Sequence, residues 1–349
     1  MSAATPLSYI AGKPKEDEAP SFQMPPRLTT DDGRARRVGV EIEFAGLSVE
    51  EAGTIVKRLY GGELTKKSRF ISQIAATSLG DFRVEIDSMP LKKQSYKAFL
   101  EKLPAGESIT HVVEDVMEAV IRTWVPTEIV TAPIALEELS QIEKLRWALM
   151  AEDAAGTRKS VLYGFGFQLN PELPGLDADT MCRHLRAFLV LYDWLLAVID
   201  VDATRAYSPF VDAFPIEYRQ KLLSPGYAPD LDGLIGDYLA ANPTRNRPLD
   251  MLPAFATLRK EWVLAEAKEK DQVKARPTFH YRLPNCLIDD PSWSFALEWN
   301  RWLEVERLAD DRERLDALSA EVLRSLDADE KPSAQAAIAQ ARAWGITTP

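Results

Sequence analysis

The sequence predicts an α+β fold in which helices pack against a sheet whose strands are not linked by regular crossover helices. Three observations lead there. Residues 37–44 alternate strictly between apolar and other side chains, the period of a half-buried strand. Ser48 followed by Glu51 forms a capping box, and Ala52, Ile55, Val56 and Leu59 continue it as an apolar helical stripe that stops at Gly61-Gly62. Further strand-like runs at 82–87, 127–133 and 161–170 lack the strand-helix rhythm of a doubly wound sheet.

Taken in order, residues 1–34 are rich in Pro, Ser and charge, with Pro14, Pro20, Pro25 and Pro26 breaking any helix, and are expected to be a partly ordered N-terminal arm. The main domain is expected over 35–310. In its first strand Val38, Val40, Ile42 and Phe44 share one face, and Gly39, Glu41 and Glu43 share the other. A second strand covers 82–87 and a third runs from Thr127 until Pro133 withdraws a backbone donor. Between them a helix near 109–122 carries Val112, Val113, Val116 and Val120. Leu136, Leu139, Ile142, Leu145 and Leu149 recur at three and four residues and predict another helix. The apolar, glycine-containing run 161–170 suits a strand approached closely by a ligand or another backbone. A long helix within 177–200 is apolar almost all round and so belongs at the centre. Residues 207–253 are broken by Pro and Gly into short helices and loops, 279–283 read as a further strand, and 291–308 as a Trp-rich helix. Two charged helices, near 312–326 and 334–344, make a C-terminal helical extension over 311–349.

Composition narrows the function classes. The 349 residues carry 42 Lys+Arg and 53 Asp+Glu, so the net charge is 42 − 53 = −11. Affinity for nucleic acid or an anionic membrane surface comes chiefly from clustered Lys and Arg, so neither is expected as a partner. No segment has the pattern of a secretion signal or the ~18 apolar residues of a membrane span, which leads to the expectation of a soluble, cytoplasmic protein. Cys182 and Cys286 lie in apolar stretches and suit a reducing compartment. With only three histidines, His111, His184 and His280, there is little material for a Ser-His-Asp triad or a multi-histidine metal centre.

The informative polar residues are acids on strands. Glu41 and Glu43 project from one side of one strand within roughly 7 Å of each other. Like charges that close repel unless a cation, an arginine or a proton joins them. Oxygen ligands at this spacing suit Mg²⁺ or Mn²⁺, but a pair of acids on the wet face of an edge strand gives the same pattern. Asp87 and Glu128 lie in or just after strands of their own. Thr157-Arg-Lys-Ser160 lacks the glycine of a P-loop, and Gly164-Phe-Gly166 lacks the rest of a dinucleotide fingerprint.

The order of these segments resembles a known family. Val38-Gly-Val-Glu-Ile-Glu-Phe44 is similar to the opening strand of carboxylate-amine ligases related to glutamine synthetase and glutamate-cysteine ligase, in particular the amidoligase family. Val84-Glu-Ile-Asp87-Ser88 resembles that family's strand ending in Asp before Ser, and Thr127-Glu-Ile-Val-Thr-Ala-Pro133 its Glu-hydrophobic-Val-Ser/Thr-x-Pro segment. Thr278-Phe-His-Tyr-Arg282-Leu stands where the family has Thr-hydrophobic-Glu-Phe-Arg, and an aromatic-rich helix follows.

The resemblance implies a glutamine-synthetase-like α+β catalytic domain whose curved, mainly antiparallel sheet lines a funnel for ATP and Mg²⁺ (or Mn²⁺). It implies that the enzyme joins a small-molecule or peptide carboxylate to an amine through an acyl phosphate. Carried over residue by residue, Glu41, Glu43, Asp87 and Glu128 would bind metal, and Arg282 would meet the transferring phosphoryl group. Two departures stand out. Gly166 and Gln168 occupy the places of the family's Gly-x-His-x-His histidines, where Gln168 and Asn170 can still orient phosphate or substrate by hydrogen bonds. His280 replaces the Glu before Phe-Arg, and it either ligates metal, serves a structural role, or marks a lost metal site. Arg247, in Asn246-Arg247-Pro-Leu-Asp250, would contact a nucleotide or substrate carboxylate, whereas Arg83 reads as one half of a structural salt bridge. Trp293, Trp299 and Trp302 fall at helical intervals and read as packing. A catalytically silent binding or scaffold module on the same fold, and a metal-dependent hydrolase built on the same acids, are the other readings, and a homo-oligomer is left open.

Overall fold

The alternating segment forms strand β1 (Arg37–Phe44), with Val38, Val40, Ile42 and Phe44 fully buried on its core side. The structure, a computed structural model, describes residues 21–86, 126–157, 165–200, 212–328 and 331–349. The expected helix near 109–122, the start of the 161–170 segment and Asp87 lie outside these residues.

Ser48 caps helix α1 (Val49–Tyr60): its hydroxyl accepts from the Glu51 amide at 3.2 Å, and the Glu51 carboxylate accepts from the Ser48 amide at 2.8 Å. The helix leads into Gly61 and Gly62, at φ of 73° and 86°. A Cβ on Gly62 would lie 2.4 Å from the Ala75 carbonyl oxygen, so the turn requires glycine. Strands β2 (Glu63–Ser68), β3 (Ile71–Thr77) and β4 (Gly80–Ile86) follow as an antiparallel meander. Neither β2 nor β3 is expected from the sequence. β2 is a sheet edge of mostly exposed residues, so no apolar period marks it.

Strands β5 (Thr127–Thr131) and β6 (Ile134–Ala135) flank Pro133. The helix expected through 136–149 is two pieces, a 3₁₀ stretch (Leu136–Ile142) and helix α2 (Glu143–Ala151). Strand β7 (Phe167–Pro171) is buried at every residue and is followed by the central helix α3 (Ala178–Ile199). Helices α4 (Ile216–Leu223) and α5 (Leu231–Ala241) lead to strand β8 (Leu249–Asp250), then to helices α6 (Leu252–Leu258) and α7 (Lys260–Glu266). Strand β9 (His280–Tyr281) is only two residues long, and helices α8 (Phe295–Asp310), α9 (Arg312–Asp327) and α10 (Ala334–Ala343) complete the described chain.

The nine strands form one sheet in the order β2-β3-β4-β5-β1-β7-β9-β8, with β6 also on β1, and every pairing is antiparallel. The fold is therefore mixed α+β, with a mainly antiparallel open sheet and ten helices among the described residues. On the sheet's apolar face Phe167 stacks on Phe295 at 4.6 Å, while Tyr281 meets Trp302 of α8 at 5.3 Å and Phe188 of α3 at 6.0 Å. All three tryptophans of the 291–308 segment, Trp293, Trp299 and Trp302, are buried.

A buried ion pair ties the start of the sheet to α8. Arg36 donates to both Glu306 oxygens, at 2.8 and 2.7 Å, and to the carbonyls of Glu172 and Arg27. Part of the N-terminal segment also docks on α8, where Trp299 Nε1 donates to the Gln23 carbonyl at 2.8 Å. Among the described residues no helix is long and apolar enough to cross a membrane.

Candidate functional site

Residues paired directly across an antiparallel sheet point to the same face, so the register assembles the polar face without further assumption. Glu43 of β1 faces Glu128 of β5, and Glu128 in turn faces Glu85 of β4. Three glutamates therefore form a row across three strands. On the other side of β1, Glu41 faces Gln168 and Gly39 faces Asn170. Leu169 pairs with Tyr281 on the apolar face, which puts their neighbours Gln168 and His280 together on the polar one, and His280 faces Asp250 of β8.

Side-chain amides and the imidazole knit this face. Asn170 Nδ2 donates to Glu41 Oε1 at 2.9 Å, and Gln168 Nε2 donates to Glu43 Oε1 at 2.8 Å. The other Glu43 oxygen accepts from the Gly166 amide at 2.7 Å. Gln168 Oε1 lies 2.7 Å from His280 Nε2, and His280 Nδ1 lies 3.3 Å from Asp250 Oδ2. Asp250 Oδ1 accepts from the Leu252 amide at 2.9 Å. Arg83 pairs with Glu85 at 2.5 Å, the salt bridge expected of it.

The face is electrically divided. The row Glu43, Glu128 and Glu85 makes one end acidic, while Arg245, Arg276 and Arg282 surround Asp250 and His280 at the other. Arg245 Nε is 3.6 Å from Asp250, and Arg276 lies 4.0 Å from Glu41. Burial alone would raise the Glu41 carboxyl, but the nearby Arg276 and Arg282 guanidinium groups and the Asn170 hydrogen bond outweigh it and hold the group below its ordinary range. Burial pushes the Asp250 carboxyl up despite Arg245 and Arg282. Burial, then the Arg282 charge, pushes His280 well below its usual range, so its imidazole is neutral near neutral pH. Burial and Arg245 lower Arg282, which remains a guanidinium cation under ordinary conditions.

Of the residues singled out from the sequence, Glu41, Glu43, Glu128, Gln168, Asn170 and His280 share this face, and Arg282 lies close enough to bias its acids. Arg247 is engaged elsewhere: its guanidinium donates to Asn242 Oδ1 at 2.7 Å and to the carbonyls of Asp212, Ala213 and Ala241. Glu85, Asp250, Arg245 and Arg276 were not singled out. Glu85 was legible, since it alternates with Ile86 as Glu41 does with Ile42. Asp250 is an acid amid Pro, Leu and Met, a weaker signal, and nothing local marks the two arginines.

Carboxylates and amide oxygens are the donor set of a hard divalent cation. Asn170 Oδ1, beside Glu41, is buried without a hydrogen-bond donor, an acceptor that a cation could satisfy. Among the described residues, however, no three His, Cys, Asp or Glu side chains by themselves form a metal cage. The fit is to a cation that keeps waters and takes further oxygens from a phosphate, as Mg²⁺ usually does. Cys182 and Cys286 are buried free thiols, and burial pushes Cys182 up to about 11.

Comparison with known proteins gives one match. The sequence profile described as "Putative amidoligase enzyme" covers residues 34–304, which contain every residue of the polar face. No curated protein and no solved structure matches the chain. A profile match over more than half of the 349 residues, running from before β1 into α8, makes this chain a member of the amidoligase family.

Proposed function

We propose that the protein is an ATP- and Mg²⁺-dependent carboxylate-amine ligase that forms an amide through an acyl phosphate. The observation that carries this reading is the row Glu43–Glu128–Glu85, with Glu41 beside it, on the same face as a half-buried Arg282 in a chain of the amidoligase family. On this reading the polar face is the wall of a glutamine-synthetase-like funnel. Glu41, Glu43 and Glu128, with Asp87 next in sequence after β4, would hold the metal. When bound, Mg²⁺ neutralises charge between phosphate oxygens. Arg282 supplies a planar pair of donors to the transferring phosphoryl group, and Gln168 and Asn170 keep the carboxylates aimed.

The chemistry balances as two displacements. A substrate carboxylate oxygen attacks the γ-phosphorus and ADP leaves; the amine nitrogen then attacks the acyl carbon, phosphate leaves, and the nitrogen gives up a proton. A carboxylate is a poor acyl donor, and phosphorylation supplies the leaving group it lacks. The acidic end of the face suits a cation or an amine, and the arginine end suits the anionic partner. We leave Arg247 out of the set, because carbonyl oxygens already occupy its donors.

The test is phosphate release from ATP across panels of carboxylates and amines. Release that requires one of each, and that falls by about 100-fold or more in Glu43→Gln without a change in unfolding midpoint, is the expected outcome. Release that needs neither co-substrate, or that Glu43→Gln leaves intact, contradicts the proposal.

A further inference from the structure

We infer that His280 and Asp250 are positioning residues that act through Gln168 to fix the Glu43 carboxylate, and that the His280 imidazole is not itself a metal ligand. The inference rests on the reading of this face as the active site, and it assigns a role that the sequence leaves undecided for His280 and does not raise for Asp250. An ionised carboxylate only accepts, so the Gln168 atom 2.8 Å from Glu43 Oε1 is the amide nitrogen. That fixes the carboxamide, and its oxygen must then face His280 Nε2 at 2.7 Å. An oxygen acceptor there requires Nε2 to carry the hydrogen. A protonated ring nitrogen has no lone pair for a metal. The other nitrogen, Nδ1, then carries the lone pair of a neutral ring and lies 3.3 Å from Asp250 Oδ2, so the hydrogen between them sits on the Asp250 carboxyl, the form its burial favours, while Asp250 Oδ1 accepts from the Leu252 amide.

Both ends of the imidazole are therefore committed, and the whole chain is out of solvent: Gln168 is 5% exposed, His280 1% and Asp250 0%. The result at Glu43 is a carboxylate gripped on both oxygens, by Gln168 on one and by the Gly166 amide on the other. Such supports orient a ligand's oxygens before the ligand arrives, and losing one typically weakens metal affinity 10–100-fold.

Two measurements test this. In the full-length protein labelled with ¹⁵N, long-range imidazole correlations report the tautomer of each of the three histidines, and His280→Gln assigns the signal. The expected result is the Nε2–H tautomer for His280, unchanged on addition of Mg²⁺ alone; an Nε2 without a hydrogen, in either state, overturns the inference. The second is calorimetric titration with Mn²⁺ in the presence of a saturating non-hydrolysable ATP analogue. Gln168→Met and His280→Leu are each expected to weaken binding about 10–100-fold, with the double variant no weaker than the worse single, because the two act in series. His280→Gln, whose amide nitrogen can take the place of Nε2, is expected to restore most of the affinity. Losses that multiply in the double variant, or a His280→Gln as poor as His280→Leu, would make His280 a ligand and refute the positioning role. If the wild-type protein binds no Mn²⁺ even with the analogue present, the ligase reading fails, and the tautomer measurement still decides the inference.

Discussion

A row of three carboxylates across β1, β5 and β4 is unfavourable on its own terms, since like charges directly opposite in a sheet repel. What offsets the repulsion is specific: Arg83 on Glu85, amides on both oxygens of Glu43, and the positive field of Arg276 and Arg282 on Glu41. Arg282 is the residue whose chemistry is least replaceable. Arg282→Lys keeps a positive charge but loses the planar fork, and where charge develops in a transition state this should lower kcat by about 10- to 1000-fold while moving KM for ATP little. Steady-state kinetics checks it, and a change confined to KM would make Arg282 a ground-state anchor only. At this scale much of the site was legible, because alternation alone places Glu41 and Glu43 on one face. What was not legible was partnership. The two departures from the family pattern, Gln168 and His280, are the two ends of one 2.7 Å hydrogen bond, though 112 residues separate them in sequence.

Among elements, those with a strong period were readable and those too short or too exposed were not. β1, α1, α3 and α8 carry four or more apolar residues at their own repeat, so their existence follows from pattern. β8 and β9 have two residues each and cannot display a period, yet they deliver Asp250 and His280 to the site. The junction between sheet and α8 depends on Arg36 and Glu306, which are 1% and 2% exposed. Glu306→Leu strands the Arg36 charge in the core and should cost about 3–5 kcal/mol in denaturant unfolding, whereas adding Arg36→Met should recover part of that loss. Equal destabilisation by the single and the double variant would show that the pairing is not what matters.

His184 on α3 faces Glu306, Arg36 and Arg183, and its Nδ1 lies 2.7 Å from the Thr180 carbonyl. Burial is the main cause that lowers it from 6.5 to about 4, with Glu306 opposing and Arg36 and Arg183 assisting. A histidine held neutral in the native state but protonated in the unfolded chain stabilises the fold fully above the unfolded value. Stability should therefore fall by about 3 kcal/mol as pH drops from 6.5 towards 4, and His184→Leu should flatten that slope. An unchanged slope in the variant would assign the acid sensitivity to other groups.

For the molecule as a whole, the arrangement separates packing from chemistry across a single sheet. One face is closed by α3 and α8 through Phe188, Phe295 and Trp302; the other gathers acids from β1, β4 and β5 and arginines near β8 and β9. Strand order brings this about, because β1 sits between β5 and β7 and so presents Glu41 and Glu43 to neighbours from distant parts of the chain. The measurement that bears most directly on this account is calorimetric titration with a non-hydrolysable ATP analogue and Mn²⁺, of the wild-type protein and of Glu43→Gln and Glu128→Gln. Saturable binding that requires both metal and nucleotide, and that weakens at least about 10-fold in each variant, is what the account predicts. Absence of binding, or binding that both variants retain in full, would contradict it.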